Sequence, residues 1–356
     1  MQTHPTKRPY EQLVIAREFS VRRTELTCPA HSLKMMARAA ESAADEVILD
    51  LEDSCAVSQK VEARQTLVEA LRTLDFKGKV RAFRPNNVRT RYFYRDLIDV
   101  VENAGQKVDV VVIPKVYGAD DVLFVDRLLS QVEENAGKFV DCVVIPKVYG
   151  ADDVLFVDRL LTQVEESAGL QVGKIKLEVL IESAKGLLRA EEIAACTPRM
   201  ASLIFGIADY AGDVGARELT REQFQTFHYP KAHTIAAARA AGVDVIDNVT
   251  LHFRDLDQVK ADAEQGARLG FDGKWAIHPS HIEIINAAYT PSREELKRAL
   301  AIMDEYARAD REKGLGAIVY QDEMVDAATL RVEWKKIAVA KKAGLVNERN
   351  ELVGGP

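Results

Sequence analysis

A near-identical block of residues occurs twice in this chain and limits the folds that the chain can adopt. The copies lie at 108–137 and 140–169. They differ at three pairs of positions: Val110/Cys142, Ser130/Thr162 and Asn135/Ser167. Each copy contains an apolar run (VVIPK), a turn (YGADD) and an amphipathic segment, a pattern that predicts one β-α unit. Solenoids need three or more repeats along the chain, so a single pair indicates a local duplication in a fold built of β-α units.

Strand-like runs alternate with amphipathic helical segments over most of the chain, a pattern typical of a parallel sheet covered by helices. The predicted strands lie near 24–29, 46–51, 79–84, 110–115, 142–147, 176–181, 202–207, 243–247 and 274–278. If only one copy of the duplicated unit is counted, eight strands remain, the number that closes a (β/α)8 TIM barrel. An open doubly wound sheet is the alternative, but no glycine-rich dinucleotide loop follows the first strand.

We predict a barrel over residues 1–285 that includes both repeat units, and a C-terminal helical lid or oligomerisation segment over 286–356. After residue 285 the periodicity is wholly helical, with one long helix expected between Pro291 and Gly314. Because strand number, tilt and shear are linked in a closed barrel, a ninth strand cannot simply be added. We therefore expect one copy to fill the fourth barrel position and the other to pack outside it.

Composition excludes several classes of partner. The net charge of −7 argues against nucleic acid or an anionic membrane as the main partner. The apolar runs are too short to span a bilayer, and the N-terminal residues lack the apolar core of a signal peptide. The four cysteines show neither metal-ligand spacing nor the density of a disulfide framework. These features predict a cytoplasmic protein with reduced thiols.

Polar residues follow the predicted strands at the end where the catalytic groups of β/α barrels lie. They are Asp50, Glu52, Asp53, Arg84, Lys115 or Lys147, Glu182 and Asp209. Glu182 and Asp209 follow adjacent strands, and hard carboxylate oxygens of this kind suit Mg2+, which keeps several waters. The alternative is a purely structural role, in which each acid caps the helix that follows it. The duplication leaves Lys115 and Lys147 interchangeable at this point.

Several motifs occur together in an order that resembles one enzyme family. They are RTEL-CPA at 23–30, VILDLEDS at 47–54, FRPN at 83–86, IPK at 113–115, EVLIESAKGL at 178–187, FGIADYAGDVG at 205–215 and KWAIHPSHIEIINAAYTPS at 274–292. The pattern is similar to that of the citrate lyase beta-subunit-like enzymes of the HpcH/HpaI aldolase superfamily, which include malyl-CoA and citramalyl-CoA lyases. The resemblance implies a TIM barrel, usually trimeric or hexameric, that uses Mg2+ (or Mn2+) in a reversible Claisen condensation of an acyl-CoA with a 2-oxo acid.

The resemblance also implies roles for individual residues. Glu182 and Asp209 match the family's magnesium ligands, and Arg84 matches the arginine of its R-x-N strand end. Asp326 matches a lid aspartate that the family donates to a neighbouring subunit; without the resemblance, a solvated or helix-capping acid would be the better interpretation. Ala30 stands where the family usually has glycine, and the duplicated unit is not part of the family pattern.

Further residues are predicted to support the site. Glu52 and Asp53 are expected to orient Arg84 or to bind metal-bound waters, with a helix-start acid or a barrel-mouth ion pair as the alternative. The phosphates of CoA need cations, and Arg23, Lys34 and Arg38 flank the first strand-helix connection. An ordinary solvated helix face is the alternative for Lys34 and Arg38.

The expected activity is cleavage of a short 3-hydroxyacyl-CoA, such as citramalyl-CoA or malyl-CoA, into acetyl-CoA and pyruvate or glyoxylate. The short connection after Asp209 slightly favours pyruvate. Two alternatives remain open at this point: a malyl-CoA-type thioesterase on the same scaffold, and a non-catalytic or inactivated homologue.

Overall fold

The computed structural model describes residues 22–114, 141–167, 170–219, 223–313, 316–347 and 349–353. The chain divides into two compact units, of which the larger is Arg22–Asn286; the smaller contains the described residues from Ala287 onward. No helix in the described ranges is long and apolar enough to cross a membrane.

The strands and helices are numbered in chain order. The strands are β1 Thr24–Pro29, β2 Glu46–Asp50, β3 Val80–Arg84, β4 Val110–Val112, β5 Cys142–Ile145, β6 Lys176–Ile181, β7 Met200–Phe205, β8 Asp244–Asp247, β9 Gly273–Ala276, β10 Ala317–Tyr320 and β11 Glu323–Asp326. The helices of the larger unit are α1 Leu33–Glu41, α2 Lys60–Thr73, α3 Phe93–Ala104, α4 Ala151–Ser167, α5 Ala184–Leu188, α6 Ala190–Ala195, α7 Ile207–Asp213, α8 Gln223–Thr226, α9 His228–Ala241, α10 Leu256–Leu269 and α11 Ile282–Tyr289, which runs on past Asn286. The smaller unit adds α12 Arg293–Lys313 and α13 Ala327–Lys342.

Strands β1 to β9 pair in parallel and in chain order, and β9 closes the sheet on β1. Alternate side chains of each strand therefore face the interior of the barrel. The interior contains a cluster of small and β-branched side chains: Ile48, Ala82, Val110, Val112, Cys142, Val144, Leu180, Ile204 and Ile246. This cluster forms a buried apolar core within the barrel. The predicted β/α barrel is confirmed, as are all nine predicted strands.

Our expectation that one repeat copy would lie outside the barrel is wrong, because β4 of the first copy and β5 of the second both belong to the closed sheet. The barrel therefore has nine strands instead of eight. β4 pairs with β3 and with β5, and its residues Val110, Val111 and Val112 are all buried. Extrusion would have left this apolar strand with unpaired backbone groups, whereas inclusion satisfies them on both sides. The rest of the first copy, 115–137, lies outside the described residues.

The amino end of the barrel contains a buried polar layer. Glu25 lies opposite Glu46 and Trp275 in the strand register, and Glu178 lies opposite Val144, so these carboxylates share the interior face. Arg22 forms an ion pair with Glu178. Burial raises the pKa of Glu25 and of Glu46, and the charge of Glu46 raises that of Glu25 further. Carboxyl groups that take up protons in this way avoid the cost of buried charge.

The smaller unit contains a β-hairpin as well as helices, so the expectation of wholly helical structure after residue 285 is wrong. The long predicted helix is confirmed as α12, but β10 and β11 pair antiparallel between α12 and α13. The hairpin turns at Gln321 and Asp322, both with positive φ, the conformation of a two-residue turn that matches strand twist. Each strand is only four residues long, too short to show a clear alternating pattern, which explains why they were missed.

Candidate active site

The carboxyl ends of the barrel strands bring charged side chains together at one rim. Arg84 is the last residue of β3, Lys147 and Glu182 follow β5 and β6, and Asp209 lies in the first turn of α7. β5, β6 and β7 are consecutive neighbours in the sheet, so Lys147, Glu182 and Asp209 meet at one sector of the rim. The ring expected from the sequence is therefore formed in this sector.

Glu182 is the buried carboxylate of the site, with 6% of its surface exposed. Burial and the nearby charge of Asp209 raise its pKa to about 7. Its Oε1 accepts a 2.7 Å hydrogen bond from the backbone N–H of Lys147. Gly206 makes room for it, because a Cβ at position 206 would lie 2.7 Å from Glu182 Cβ. A buried carboxylate that resists ionisation in the metal-free protein is suited to a positive ligand.

Asp209 is the more exposed member of the pair, with 54% of its side chain accessible. Its Oδ1 accepts a 2.7 Å hydrogen bond from the Lys147 ammonium. Burial opposes the charge of Lys147, but its hydrogen bond to Asp209 and the charges of Glu182 and Asp209 outweigh it, so the pKa of Lys147 is raised. The second repeat copy thus supplies the residue that bridges both predicted metal ligands, while Lys115 of the first copy lies outside the described residues.

Arg84 is held rigidly by Asp50. Its Nε and Nη2 donate to the two carboxylate oxygens of Asp50, both at 2.8 Å. Burial opposes the positive charge, but the hydrogen bond and charge of Asp50 outweigh it and raise the pKa of Arg84. The same pairing lowers the pKa of Asp50 despite its burial. A bidentate pair of this kind fixes the guanidinium plane as well as its charge.

Glu52 and Asp53, the acids predicted to orient Arg84, contribute less to its orientation than Asp50 does. Glu52 Oε2 lies 3.7 Å from Arg84 Nε, and Asp53 is exposed. Glu52 therefore lies near Arg84 as expected, whereas the orienting role falls mainly to Asp50, which was not assigned it. The strand register would have shown this, because Asp50 and Arg84 are direct partners across β2 and β3 and so point to the same side.

The three predicted CoA-binding cations do not lie together. Arg23 precedes β1 at the amino end of the barrel, where its Nη2 lies 2.8 Å from Asp45 Oδ1. A CoA-binding role for Arg23 at the rim is therefore wrong, because β1 separates it from the carboxyl end. Lys34 lies in the first turn of α1, just after β1 ends, and Arg38 lies one turn further along. Both are exposed, and neither forms a salt bridge with another described residue.

Asp326 ends β11 and caps α13 in the smaller unit. Its Oδ1 accepts 2.9 Å hydrogen bonds from the backbone N–H groups of Ala328 and Thr329, and Thr329 Oγ1 accepts one from the Asp326 N–H. The bond from Thr329 is the main cause of the lowered pKa of Asp326. The helix-capping role that the sequence left open is thus present, and it keeps the carboxylate ionised.

The rim fits a divalent cation, although no group of three or more His, Cys, Asp or Glu side chains is placed to hold a metal within the described ranges. Two carboxylates suffice for Mg2+, because this ion keeps waters and shares its shell with substrate oxygens. Lys147 already joins the two acids, because its ammonium donates to Asp209 and its backbone N–H donates to Glu182. The charges of both acids help to raise the pKa of this ammonium, so their surroundings favour positive charge. Glu182 and Asp209 would hold the ion.

Comparisons with known proteins agree with this geometry. A family model described as HpcH/HpaI aldolase/citrate lyase matches residues 23–141 and 133–279, and a model described as a C-C bond lyase of the TIM-barrel fold matches 227–344. The two HpcH/HpaI matches overlap at 133–141, where the repeat copies join. The barrel and these matches define a carbon–carbon lyase of the TIM-barrel class. The chain belongs to the HpcH/HpaI aldolase/citrate lyase family.

Individual relatives extend the comparison. An L-malyl-CoA/beta-methylmalyl-CoA lyase of Cereibacter sphaeroides is 32% identical over 324 residues, which cover 87% of this chain and 91% of that protein. A (3S)-malyl-CoA thioesterase of the same species is 31% identical over 304 residues, which cover 85% and 89%. A crystal structure of CitE from Mycobacterium tuberculosis in complex with magnesium, acetoacetate and coenzyme A matches with a TM-score of 0.61 and 26% identity, covering 91% of this chain and 99% of that chain.

Proposed function

We propose that this enzyme cleaves a short 3-hydroxyacyl-CoA, such as citramalyl-CoA or malyl-CoA, into acetyl-CoA and pyruvate or glyoxylate by a reversible Claisen condensation that depends on Mg2+. Mn2+ is expected to substitute. The observation that carries the proposal is the pair Glu182 and Asp209, joined by the backbone N–H and the ammonium of Lys147 at the same rim as Arg84. The malyl-CoA lyase relatives, and the CitE structure with magnesium and coenzyme A, support the same chemistry.

Glu182 and Asp209 hold the cation in this proposal. When bound, Mg2+ supplies a Lewis acid that polarises the oxygens of the 2-oxo acid. The burial of Glu182 favours neutralisation by a cation, whereas the exposure of Asp209 leaves that side of the site open to substrate and water. This asymmetry suits an ion that shares its ligand shell with substrate.

Arg84 stabilises the thioester enolate. In the condensation direction a base removes a proton from the acetyl methyl carbon and the electron pair moves to the thioester oxygen. The enolate carbon then attacks the keto carbon of the oxo acid, whose oxygen takes up a proton from water to become the hydroxyl. A guanidinium fixed by two hydrogen bonds to Asp50 is already oriented before the oxyanion forms, so it needs no reorganisation. The raised pKa keeps it charged throughout.

Asp326 is the proposed base. Its lowered pKa keeps it as the carboxylate, the form that accepts the methyl proton. In the cleavage direction the acid form returns that proton to the enolate carbon. We propose that Asp326 acts in the site of a neighbouring subunit of a homotrimer or hexamer, with the smaller unit as the lid. Oligomerisation would then be required for catalysis.

Lys34 and Arg38 are the proposed contacts for the CoA phosphates. They are exposed cations on α1, and Lys34 lies in the helical turn nearest the rim. Four free cysteines in the described ranges suit a reducing compartment, and we place the enzyme in the cytoplasm.

Hydrolysis of the thioester is the second candidate, because a (3S)-malyl-CoA thioesterase is nearly as similar to this chain as the lyases are. The test is a product assay with malyl-CoA, methylmalyl-CoA and citramalyl-CoA, each with and without EDTA. Acetyl-CoA or propionyl-CoA together with glyoxylate or pyruvate, lost in EDTA, is the expected result. Free CoA with an intact hydroxy acid would show a thioesterase, and no product from any substrate would contradict both.

A further inference from the structure

We propose that the Lys147 ammonium occupies the cation position of the metal-free enzyme and is displaced when the divalent ion binds. This inference rests on the proposed function and names a positioning residue for its metal site. Lys147 Nζ donates to Asp209 at 2.7 Å while its backbone N–H donates to Glu182 at 2.7 Å, so one residue joins both carboxylates. An ammonium and a dication cannot share this place, because their charges repel each other at such a distance.

The turn that carries Lys147 is built to hold this arrangement. Lys147 has a φ of +52°, a left-handed conformation that is strained for a non-glycine residue and persists only where the surroundings enforce it. The following residues supply that enforcement. The backbone N–H groups of Tyr149 and Gly150 both donate to Asp153 Oδ2, at 2.8 and 3.1 Å. On the other side, a Cβ at Gly186 would lie 2.5 Å from the Val148 carbonyl oxygen.

The backbone and the side chain of Lys147 have separable roles. The N–H bond to Glu182 survives any substitution other than proline, so it positions Glu182 whether or not metal is bound. The ammonium is tied only to Asp209, and 23% of the side chain is exposed. A flexible four-carbon stem allows it to leave Asp209 without moving the turn.

Only the second repeat copy can fill this role, although the two copies share the same IPKVYG sequence. The sheet order places β5 directly beside β6, with Ile145 opposite Val179, whereas β4 neighbours β3 and β5. Glu182 follows β6, so the lysine that follows β5 meets it. The duplication therefore supplies a matched control in the same chain, since Lys115 is the equivalent residue of the first copy.

The experiment measures Mg2+ binding to the full-length protein by isothermal titration calorimetry at one pH and ionic strength. Lys147→Asn removes the ammonium but keeps the backbone N–H, and asparagine tolerates positive φ. The Lys147 ammonium competes with Mg2+ only through a partly exposed ion pair with Asp209. We therefore expect Lys147→Asn to bind Mg2+ up to about fivefold more tightly than wild type. Lys147→Arg, which keeps the charge, and Lys115→Asn should bind as wild type does.

A second readout is thermal unfolding. In EDTA, Lys147→Asn should have a lower Tm than wild type because Glu182 and Asp209 lose their counter-charge, and saturating Mg2+ should remove the difference.

Glu182→Gln distinguishes a failure of the Lys147 inference from a failure of the proposed metal site. If Glu182→Gln abolishes Mg2+ binding but Lys147→Asn binds no more tightly than wild type, the role of Lys147 is overturned and the metal site stands. If Glu182→Gln binds Mg2+ as wild type does, the metal site itself is wrong, and the inference falls with it. If Lys147→Asn is insoluble, Lys147→Gly provides the same comparison.

Discussion

The two ends of the barrel both carry clustered carboxylates, but they use them differently. At the amino end Glu25, Glu46 and Glu178 lie on strands, face the packed interior and are almost fully buried. At the carboxyl end Glu182 and Asp209 lie beyond strands, in segments that follow β6 and β7, and Asp209 is open to solvent. Burial raises the pKa of Glu25 and of Glu46, so these two acids favour the protonated form, and Glu178 pairs with Arg22. In our proposal the acids of the open rim instead exchange one cation for another. Position along the strand, more than residue type, separates a structural acid from a catalytic one.

The largest expected effect comes from removing the buried ligand at the carboxyl end. Glu182→Gln keeps the shape of the side chain but takes away its charge, and the loss of Lewis-acid stabilisation of several kcal/mol should lower kcat about 10³-fold. Steady-state kinetics in saturating Mg2+ measure this. A variant with more than a tenth of wild-type activity would show that Glu182 is not a ligand.

The same residue predicts a pH dependence of stability in the metal-free protein. The pKa of Glu182 is about 7 in the folded state and 4.5 in its ordinary state, so folding favours the protonated form. Its stabilising contribution is complete below pH 4.5 and is lost as the pH rises through 7. In EDTA the free energy of unfolding of wild type relative to Glu182→Gln should fall by up to about 3 kcal/mol over this range. A difference that does not change with pH would contradict the burial and repulsion that we assign to Glu182.

Substitution of Arg84 is expected to have the next largest effect on kcat. Arg84→Lys keeps a positive charge but cannot form the same two-pronged pair with Asp50, and loss of an oriented oxyanion donor should lower kcat about 10²–10³-fold. Asp50→Asn is the matched test of orientation, and it should lower kcat with a smaller change in KM. If Arg84→Lys retains full kcat, the enolate must be stabilised elsewhere.

Asp326 tests the proposed contribution of a neighbouring subunit. Asn is also a good helix N-cap, so Asp326→Asn should fold with an unchanged Tm while kcat falls about 10²-fold. When Asp326→Asn and Glu182→Gln subunits are mixed and allowed to exchange, some sites should combine an intact lid with an intact rim and regain activity. If mixing restores nothing while the two variants do assemble together, the lid acts within its own subunit.

The smallest effects are expected at the amino end and in the duplicated unit. Glu25→Gln replaces a carboxyl group that burial already disfavours as an anion, so kcat and Tm near neutral pH should stay close to wild type. A large loss of kcat in Glu25→Gln would show that the two ends are coupled.

Deleting 108–139 should leave an eight-stranded barrel in which Lys147 still lies beside β6, with activity of the same order. An unfolded deletion variant would show that the barrel requires its ninth strand.

The sequence predicted the barrel, its strands and the main members of the rim because these depend on local patterns: apolar runs, alternation with helices, and a charged residue at each strand end. It did not predict the number of strands in the closed sheet. Whether β4 enters the sheet depends on pairing its backbone on both sides, a non-local property that no single segment encodes. The role of Asp50 was not predicted for the same reason, because it follows from the register of Asp50 with Arg84 across two strands. The location of Arg23 at the amino end of the barrel likewise follows only from the position of β1 in the sheet. The choice between Lys115 and Lys147 was undecidable from identical sequences and follows from the neighbouring strand alone.

The most direct test of the cation site at the rim is anomalous diffraction from crystals soaked in Mn2+. The account predicts one strong Mn2+ peak in contact with the carboxylates of Glu182 and Asp209, with the Lys147 ammonium moved off Asp209. A peak elsewhere in the barrel, or Lys147 still bonded to Asp209 in fully occupied sites, would contradict it.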